Sequence, residues 1–241
     1  MLPGVERTWR VGRAIVYPFC RLFAWRIVGL ERISADGPTL LASNHISLLD
    51  PVAILWLGDR RHRPVRFLAK AELWRSRPLR FFLVKTRQIP VDRRSLSAVG
   101  SLAAASAALD DGQCVCVFPE GRLSVDLDPL PAKTGVARLA ARARVPVTPV
   151  GLWGTHRVAP AGRRPSPRVG VAVTIVVGEP VAVSSSDDPV EATDRIMGAI
   201  ASCVAEARRR YPQHPRRARD QWWFRPPETA VARPVRGHGR R

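Results

Sequence analysis

The stretch TLLASNHISLLDP, residues 39 to 51, joins an apolar strand-like run to the start of a helix. Ser47 can cap a helix that starts at Leu48, and Asp50 then takes the third helical position of a capping box. On this geometry His45 lies at the end of the strand, where the turn lets its imidazole approach the Asp50 carboxylate. Two interpretations remain open: an ordinary helix start, or a general base with the carboxylate that orients it.

Strand signals and helix signals alternate along the chain from about residue 38. Apolar runs favour strands at six places, which read TLLAS, VRFLA, IPV, CVCVF, VTPVGLW and VGVAVTIVV. Helices are expected near residues 48–58, 71–84, 94–110, 132–143 and 188–210. This alternation predicts an α/β fold with a largely parallel central sheet flanked by helices. Sites in such sheets lie beyond the carboxyl ends of strands, which favours the residues after TLLAS and CVCVF.

Positive charge dominates the composition of this 241-residue chain. Hydrophobic residues make up 46%, enough for a large buried core, while the formal net charge is +19. Nearly all cations are arginines, since the only lysines are Lys70, Lys85 and Lys133. This balance points to an anionic partner: a nucleic acid, an acidic membrane surface or a phosphorylated substrate. No nucleic-acid recognition motif is present, so we do not expect nucleic acid as the partner.

The cysteines give no sign of a metal site. The sequence contains no CxxC pair and no Cys/His cluster with metal-ligand spacing, so we expect no bound metal and a reducing compartment. Cys114 and Cys116 alternate within an apolar run, which favours a buried strand.

The N-terminal part has features of a membrane-surface segment. Residues 9 to 28 place arginines on one helical face and large apolar residues opposite, as in a helix that lies in a membrane interface. Packing of this helix on the core of the protein is the alternative. Arginines interrupt the stretch and argue against a signal peptide. The longest uncharged run, residues 95 to 109, is shorter than a membrane span.

Three parts are therefore expected along the chain. Residues 1–37 form an N-terminal amphipathic helical segment at a membrane interface, residues 38–210 form the main domain, and residues 211–241 form a tail. The density of proline and arginine in this tail predicts disorder. The aromatic cluster at residues 222 to 224 could anchor the tail on anionic lipid, or the tail could be solvated without a role.

A second candidate site stretch is VCVFPEGRLS, residues 115 to 124. Here a strand that reads as buried breaks at Pro119 and exposes Glu120, Gly121 and Arg122. A Glu-Gly-Arg sequence at a strand end can bind a polyol and a phosphate together. A plain loop is the alternative interpretation.

Two more stretches complete the set of candidates. RQIPVDRR, residues 87 to 94, is a short strand that ends in an arginine pair beginning at Arg93, which suits either an anion site or a solvated surface. AKTGVARLA, residues 132 to 140, indicates a helix that begins near Lys133. VPVTPVGLWG, residues 145 to 154, indicates a strand that could line a channel.

In this order the four stretches resemble the motifs of the glycerolipid acyltransferase family, whose best-known member makes phosphatidic acid from 1-acylglycerol-3-phosphate. The first family motif, Asn-His-x-Ser-x-x-Asp, matches NHISLLD at residues 44 to 50. The second ends in Ile-x-x-Asp-Arg, found at residues 89 to 93, and the third contains Phe-Pro-Glu-Gly, found at residues 118 to 121. The fourth, Val-Pro-Val-x-Pro-Val, matches residues 145 to 150.

The resemblance covers about residues 38 to 180 and implies transfer of an acyl group from a thioester to a lysophospholipid hydroxyl. It makes His45 the general base and Asp50 its orienting carboxylate, with Asn44 and Ser47 as further candidates from the same motif. Because the thioester is already activated, no acyl-enzyme and no cofactor are needed. The donor is expected to be acyl-CoA or acyl carrier protein, and both are acidic.

The resemblance also implies how the acceptor is held. Glu120 and Gly121 would contact the glycerol backbone, while Arg93 would hold the phosphate. Arg122 would assist in phosphate binding, and Lys133 is a further candidate. These roles follow from matching the motifs position by position.

Two departures from the family pattern concern the acceptor. The usual glycine before the strand of the second motif is Arg87 here. In the third motif the arginine comes one place earlier than usual, at Arg122. Leu123 occupies the position where the family normally has the arginine. The head group of the acceptor could therefore differ from a plain phosphate. We expect a peripheral enzyme at the cytoplasmic face of an anionic membrane; a catalytically silent scaffold of the same fold is the alternative.

Overall fold

The computed structural model describes residues 17 to 91, 97 to 166 and 168 to 230, which form an α/β fold. Its strands are Phe23–Val28 (β1), Thr39–Ser43 (β2), Val65–Lys70 (β3), Ile89–Val91 (β4), Cys114–Val117 (β5), Val147–Trp153 (β6) and Val171–Val177 (β7). They form one sheet in the order β1-β7-β6-β2-β5-β3-β4. Every neighbouring pair is parallel except β6 and β7, which are antiparallel. The prediction of a largely parallel sheet is confirmed.

Helices flank this sheet at the predicted places. They are Asp50–Arg60 (α1), Arg77–Lys85 (α2), Ser97–Asp110 (α3), Gly135–Ala143 (α4) and Pro189–Arg209 (α5). Short 3-10 segments lie at Leu30–Arg32, Ala71–Arg75, Thr155–Arg157, Ala218–Trp223 and Pro227–Thr229. The expected helix over residues 71–84 is divided, because the chain is extended at Ser76 between a 3-10 segment and α2.

Strand side chains alternate between two apolar layers, one on each face of the sheet. On one face, Leu40 and Val115 join a core built from α3, α4 and α5. On the other face, Leu41 and Cys116 join a core that includes α1. Burial of Cys114 and Cys116 within β5 confirms the buried-strand interpretation of these cysteines. This arrangement leaves the carboxyl ends of β2, β3 and β5 together at one edge of the sheet.

The N-terminal expectation is wrong where the structure can be compared with it. Residues 17 to 20 form a helical turn, but residues 23 to 28 form β1, which pairs in parallel with β7. Since β1 belongs to the central sheet, the expected boundary between residues 37 and 38 does not separate two units. Residues 1 to 16 lie outside the described part of the chain. Among the helices that the structure describes, none is both long enough and apolar enough to cross a bilayer.

The C-terminal expectation of disorder is wrong for residues 211 to 230. Trp223 is buried there, and its carbonyl oxygen accepts a hydrogen bond from His156 Nε2 at 3.0 Å. The Arg157 guanidinium lies over the Trp223 ring, 4.0 Å from its centroid. These contacts hold the segment against the sheet, so Trp223 is not available as a lipid anchor. Residues 231 to 241 lie outside the described residues.

Candidate active site

The turn between β2 and α1 brings His45 and Asp50 together. His45 Nδ1 lies 3.0 Å from Asp50 Oδ2. The Asp50 side chain is fully buried, whereas that of His45 is 17% exposed. The ring of Phe118 stacks against the imidazole at a centroid distance of 4.2 Å and an interplanar angle of 21°. His45 is therefore held from two sides while part of its ring stays accessible.

Both carboxylate oxygens of Asp50 accept hydrogen bonds. Oδ2 accepts from His45 Nδ1 and from the backbone amides of Ile46 at 2.7 Å and Ser47 at 2.8 Å. Oδ1 accepts from the Thr155 hydroxyl at 2.6 Å. A carboxylate only accepts, so the proton of the imidazole lies on Nδ1. The second ring nitrogen, Nε2, is consequently the one able to take a proton.

Ser47 and Asn44, the two further candidates from the first motif, hold this turn in place by hydrogen bonds. Ser47 Oγ accepts from the Leu49 amide at 3.0 Å and donates to the Ala159 carbonyl at 2.8 Å. Helix α1 begins at Asp50, so the predicted helix start at Leu48 with Asp50 third is wrong. Asp50 is instead the first residue of the helix. Its carboxylate accepts hydrogen bonds from three donors in the preceding turn.

Asn44 makes the other supporting contact of this motif. Its Oδ1 accepts from the Leu152 amide at 2.7 Å, and its Nδ2 donates to the Leu152 carbonyl at 3.1 Å. This pair of bonds ties the end of β2 to β6. Asn44 and Ser47 are both buried and neither lines the cavity described below. The structure therefore gives each of them a positioning contact.

Glu120 is buried directly behind the His45 backbone. Its Oε1 accepts from the His45 amide at 3.0 Å, and its Oε2 accepts from the Leu130 amide at 3.1 Å. Burial raises the pKa of Glu120 to about 8, although both backbone hydrogen bonds act in the opposite direction. With both oxygens bound by the main chain, Glu120 positions His45. The prediction that the chain exposes Glu120 is wrong, since the residue is buried. Contact between Glu120 and a glycerol backbone stays a prediction.

Glu120 should make the stability of the protein depend on pH. Its carboxyl ionises near pH 8 when folded but near pH 4.5 in the ordinary case, so between these values the unfolded chain has lost a proton that the folded chain retains. Stability is therefore expected to fall as the pH rises through this window, by up to about 1.4 kcal/mol per pH unit. Below and above the window this group contributes no slope.

Urea unfolding of the wild type and of Glu120→Gln tests this expectation. The difference in unfolding free energy between them should change steadily from pH 4.5 to pH 8. The exposed Glu228→Gln variant is the matched control and should keep a constant difference from the wild type. A constant difference for Glu120→Gln as well would contradict the shifted pKa.

A cavity of about 770 Å³ opens beside His45 at the carboxyl edge of the sheet. Apolar side chains from five elements line most of it, namely Leu55, Phe67, Leu83, Leu102 and Val136. This volume lies in the range of pockets that enclose a small-molecule ligand. The cavity thus places the accessible side of His45 next to a large apolar space.

The third motif supplies the polar side of this cavity. Gly121 and Arg122 line it, as does Lys133. Gly121 has a φ of +66°, a left-handed conformation that side chains disfavour, so glycine suits this turn after Glu120. Arg122 and Lys133 are exposed, so their charged groups stand at the solvent side of the cavity. Arg93 lies outside the described residues.

Three functional residues were not recognised from the sequence. Lys70, at the end of β3, lines the cavity as a third cation. Phe118 stacks on the imidazole. Thr155 donates to Asp50 from a position just after β6. Because β6 runs parallel to β2 and beside it, the rule that sites lie at strand carboxyl ends could have pointed to Thr155.

Within the ranges that the structure describes, no group of three or more His, Cys, Asp or Glu side chains is placed to hold a metal ion. The arrangement instead offers a proton acceptor, a buried carboxylate behind it, an apolar cavity and several cations at one edge. These groups are suited to deprotonating a hydroxyl on an amphiphilic, anionic molecule.

Comparison with known proteins agrees with this chemistry. A family model described as Acyltransferase matches residues 24–153. The chain is 30% identical over 174 residues to a chloroplastic 1-acyl-sn-glycerol-3-phosphate acyltransferase of Brassica napus, which covers 71% of this chain and 48% of that protein. It is 33% identical over 144 residues to the lyso-ornithine lipid O-acyltransferase of Brucella abortus, which covers 56% of this chain and 52% of that protein.

A solved structure shares the fold. The crystal structure of the 1-acyl-sn-glycerophosphate acyltransferase of Thermotoga maritima matches with a TM-score of 0.69 at 26% identity, over 87% of this chain and 81% of that one. The chain spans about half the length of the first curated relatives it matches. Since the family model covers more than half of the sequence, this chain belongs to the acyltransferase family.

Proposed function

We propose that this protein transfers a fatty acyl group from an acyl thioester to the free hydroxyl of a lysophospholipid. The acceptor we propose is 1-acyl-sn-glycerol-3-phosphate, and the product is then phosphatidic acid. The observation that carries this proposal is the His45 imidazole, held by Asp50 through Nδ1, at the wall of an apolar cavity with cations around it. The donor is acyl-CoA or acyl carrier protein, whose acidity suits a basic protein surface.

The reaction needs one proton acceptor that later returns the proton. Nε2 of His45 takes the proton of the acceptor hydroxyl as its oxygen attacks the thioester carbonyl carbon. The tetrahedral intermediate then collapses, the C–S bond breaks, and the leaving thiolate takes a proton from the imidazolium. Asp50 stabilises this imidazolium through Nδ1 and keeps the ring in one orientation. The thioester is itself the activated acyl group, so no covalent enzyme intermediate forms.

The cations of the site are proposed to hold the acceptor head group. Lys70, Arg122 and Lys133 line the cavity that contains the apolar wall, so the acyl chain and the phosphate of one lysolipid would meet matching surroundings. Leu123 stands where the family usually has an arginine, and the Brucella relative is named for a different acceptor. The head group is therefore the part of the proposal that most needs a direct test.

A purified-protein assay with several lysolipid acceptors and one acyl-CoA, read by mass spectrometry, provides that test. We expect a product heavier by one acyl group, formed fastest from lysophosphatidate. Faster acylation of a lysolipid without a phosphomonoester would show that the proposed acceptor is wrong, while the proposed acyl transfer would stand. No acylated lipid from any acceptor would overturn the proposed function.

Arg93→Ala is expected to raise the KM for the lysophosphatidate acceptor more than the KM for the thioester donor. The resemblance places the phosphate contact at this residue, and the loss of a bidentate cation weakens binding of the group it holds. Steady-state kinetics with each substrate varied in turn measures both constants. Arg142→Ala, an exposed arginine in the last turn of α4, is the control and should change neither. Equal changes in both constants would remove the proposed phosphate role of Arg93.

A further inference from the structure

Helix α2 carries one pair of apolar residues at the cavity and a second pair that is exposed. Leu79 and Leu83 line the cavity. Phe81 and Val84 point away from the core and are 55% and 54% exposed. Large apolar side chains exposed together on one helix mark an interaction surface more often than scattered single ones. This outer face needs an occupant that tolerates apolar contact.

The charges around this outer face identify the kind of occupant. From Lys70 to Arg87 the chain carries exposed cations throughout, and Glu72 is the only acidic side chain. The exposed cations are Lys70, Arg75, Arg77, Arg80, Lys85 and Arg87. An apolar pair ringed by cations is typical of surfaces that lie on anionic lipid, with the apolar groups below the headgroups and the cations among them.

The same segment is continuous with the cavity. Lys70 and Leu73 line the cavity, and Leu73 is 38% exposed. An acyl chain that leaves a bilayer beside Phe81 would thus pass from lipid to Leu73 and then into the apolar space beyond. A polar protein partner would gain nothing from this continuity, whereas a lipid would avoid exposing its chain to water.

We propose that the segment from Lys70 to Arg87 docks on an anionic phospholipid bilayer, with Phe81 and Val84 inserted, and passes the lysolipid into the cavity behind it. This inference rests on the proposed function for its cargo but not for its contact with lipid. Trp223 of the described C-terminal segment does not insert into lipid in this way, because it is buried inside the protein.

The test compares two double variants of the full chain that change the net charge equally. Phe81→Glu/Val84→Glu puts two carboxylates on the docking face. Val169→Glu/Val190→Glu puts two on other exposed valines, which are 78% and 42% exposed. Binding is measured by co-sedimentation with vesicles of phosphatidylcholine mixed with phosphatidylglycerol and with vesicles of phosphatidylcholine alone. Thermal unfolding checks that all proteins are folded.

We expect the Phe81/Val84 variant to bind mixed vesicles at least about tenfold more weakly than the wild type, and the Val169/Val190 variant to bind nearly as well. Turnover of a short-chain lysolipid below its micelle concentration should be unchanged in both variants. Equal binding by all three proteins, or an equal loss in both variants, would overturn the docking face. So would a monomer–dimer change in the Phe81/Val84 variant without a change in vesicle binding.

The design separates the two proposals. Absence of acyl transfer in every protein, with the vesicle result as expected, would remove the proposed function and keep the docking face. Acyl transfer by every protein, with vesicle binding equal in all three, would keep the proposed function and remove the docking face.

Discussion

His45→Ala is expected to lower kcat for acyl transfer by about 10²–10⁴-fold while the protein stays folded. Among the cavity-lining residues that the structure describes, the imidazole is the only group with a ring nitrogen placed to take a proton from a hydroxyl. Its side chain is 17% exposed, and its backbone amide keeps the bond to Glu120 in the variant. Thiol release from acyl-CoA in the presence of lysophosphatidate measures kcat, and thermal unfolding checks the fold.

His214→Ala is the matched control, since His214 is exposed and lies in the C-terminal segment. It should retain wild-type turnover. Added imidazole should restore part of the activity of His45→Ala, because the space beside Phe118 is then open and a base is again available. Near-normal turnover by His45→Ala without any additive would exclude His45 from the mechanism.

Asp50→Asn is expected to lower kcat by roughly 10²–10⁴-fold and also to destabilise the fold. An asparagine offers one oxygen where four donors converge, and its amide group faces donors that it cannot satisfy. Each buried group left unsatisfied costs about 1–3 kcal/mol. The imidazole would also lose the partner that keeps its proton on Nδ1. Kinetics and urea unfolding measure the two effects separately.

Two further variants keep this prediction testable if Asp50→Asn unfolds. Thr155→Val removes only the hydrogen bond to Oδ1, so it should lower kcat less than Asp50→Asn does and leave both KM values unchanged. Asp126→Asn changes an exposed carboxylate and should behave as the wild type. Full activity in a folded Asp50→Asn protein would contradict the orienting role of Asp50.

The strands buried on both faces were predictable from the sequence, and the half-exposed edge strand β1 was not. Strand β7 is a continuous apolar run, and every residue of it is buried. Strand β1 lies at the sheet edge, where the exposed Ala24 and Arg26 alternate with the less exposed Phe23 and Trp25. Its spacing of arginines and large apolar residues fits a helical period as well. Its partner β7 lies far along the chain, so no local pattern reports the pairing.

The same limit applies to the candidate site. His45 and Asp50 are near neighbours in the sequence, so their spacing and the turn between them predicted the contact. Thr155 and Glu120 reach the pair only through the sheet topology, which brings distant strand ends together. The C-terminal segment shows the limit of composition, since its proline and arginine content predicts disorder. Contacts with the rest of the protein nevertheless order it, such as the hydrogen bond that Arg208 Nη1 donates to the Pro226 carbonyl at 3.2 Å.

A double-mutant comparison of His45→Ala, Asp50→Asn and His45→Ala/Asp50→Asn tests most directly whether the two residues act as one base. All three are assayed for acyl transfer to lysophosphatidate under conditions where each is folded. If Asp50 acts only through the imidazole, the double variant should turn over as fast as His45→Ala, within about threefold. A double variant whose loss equals the product of the two single losses would show that the residues act independently, which the proposed mechanism does not allow.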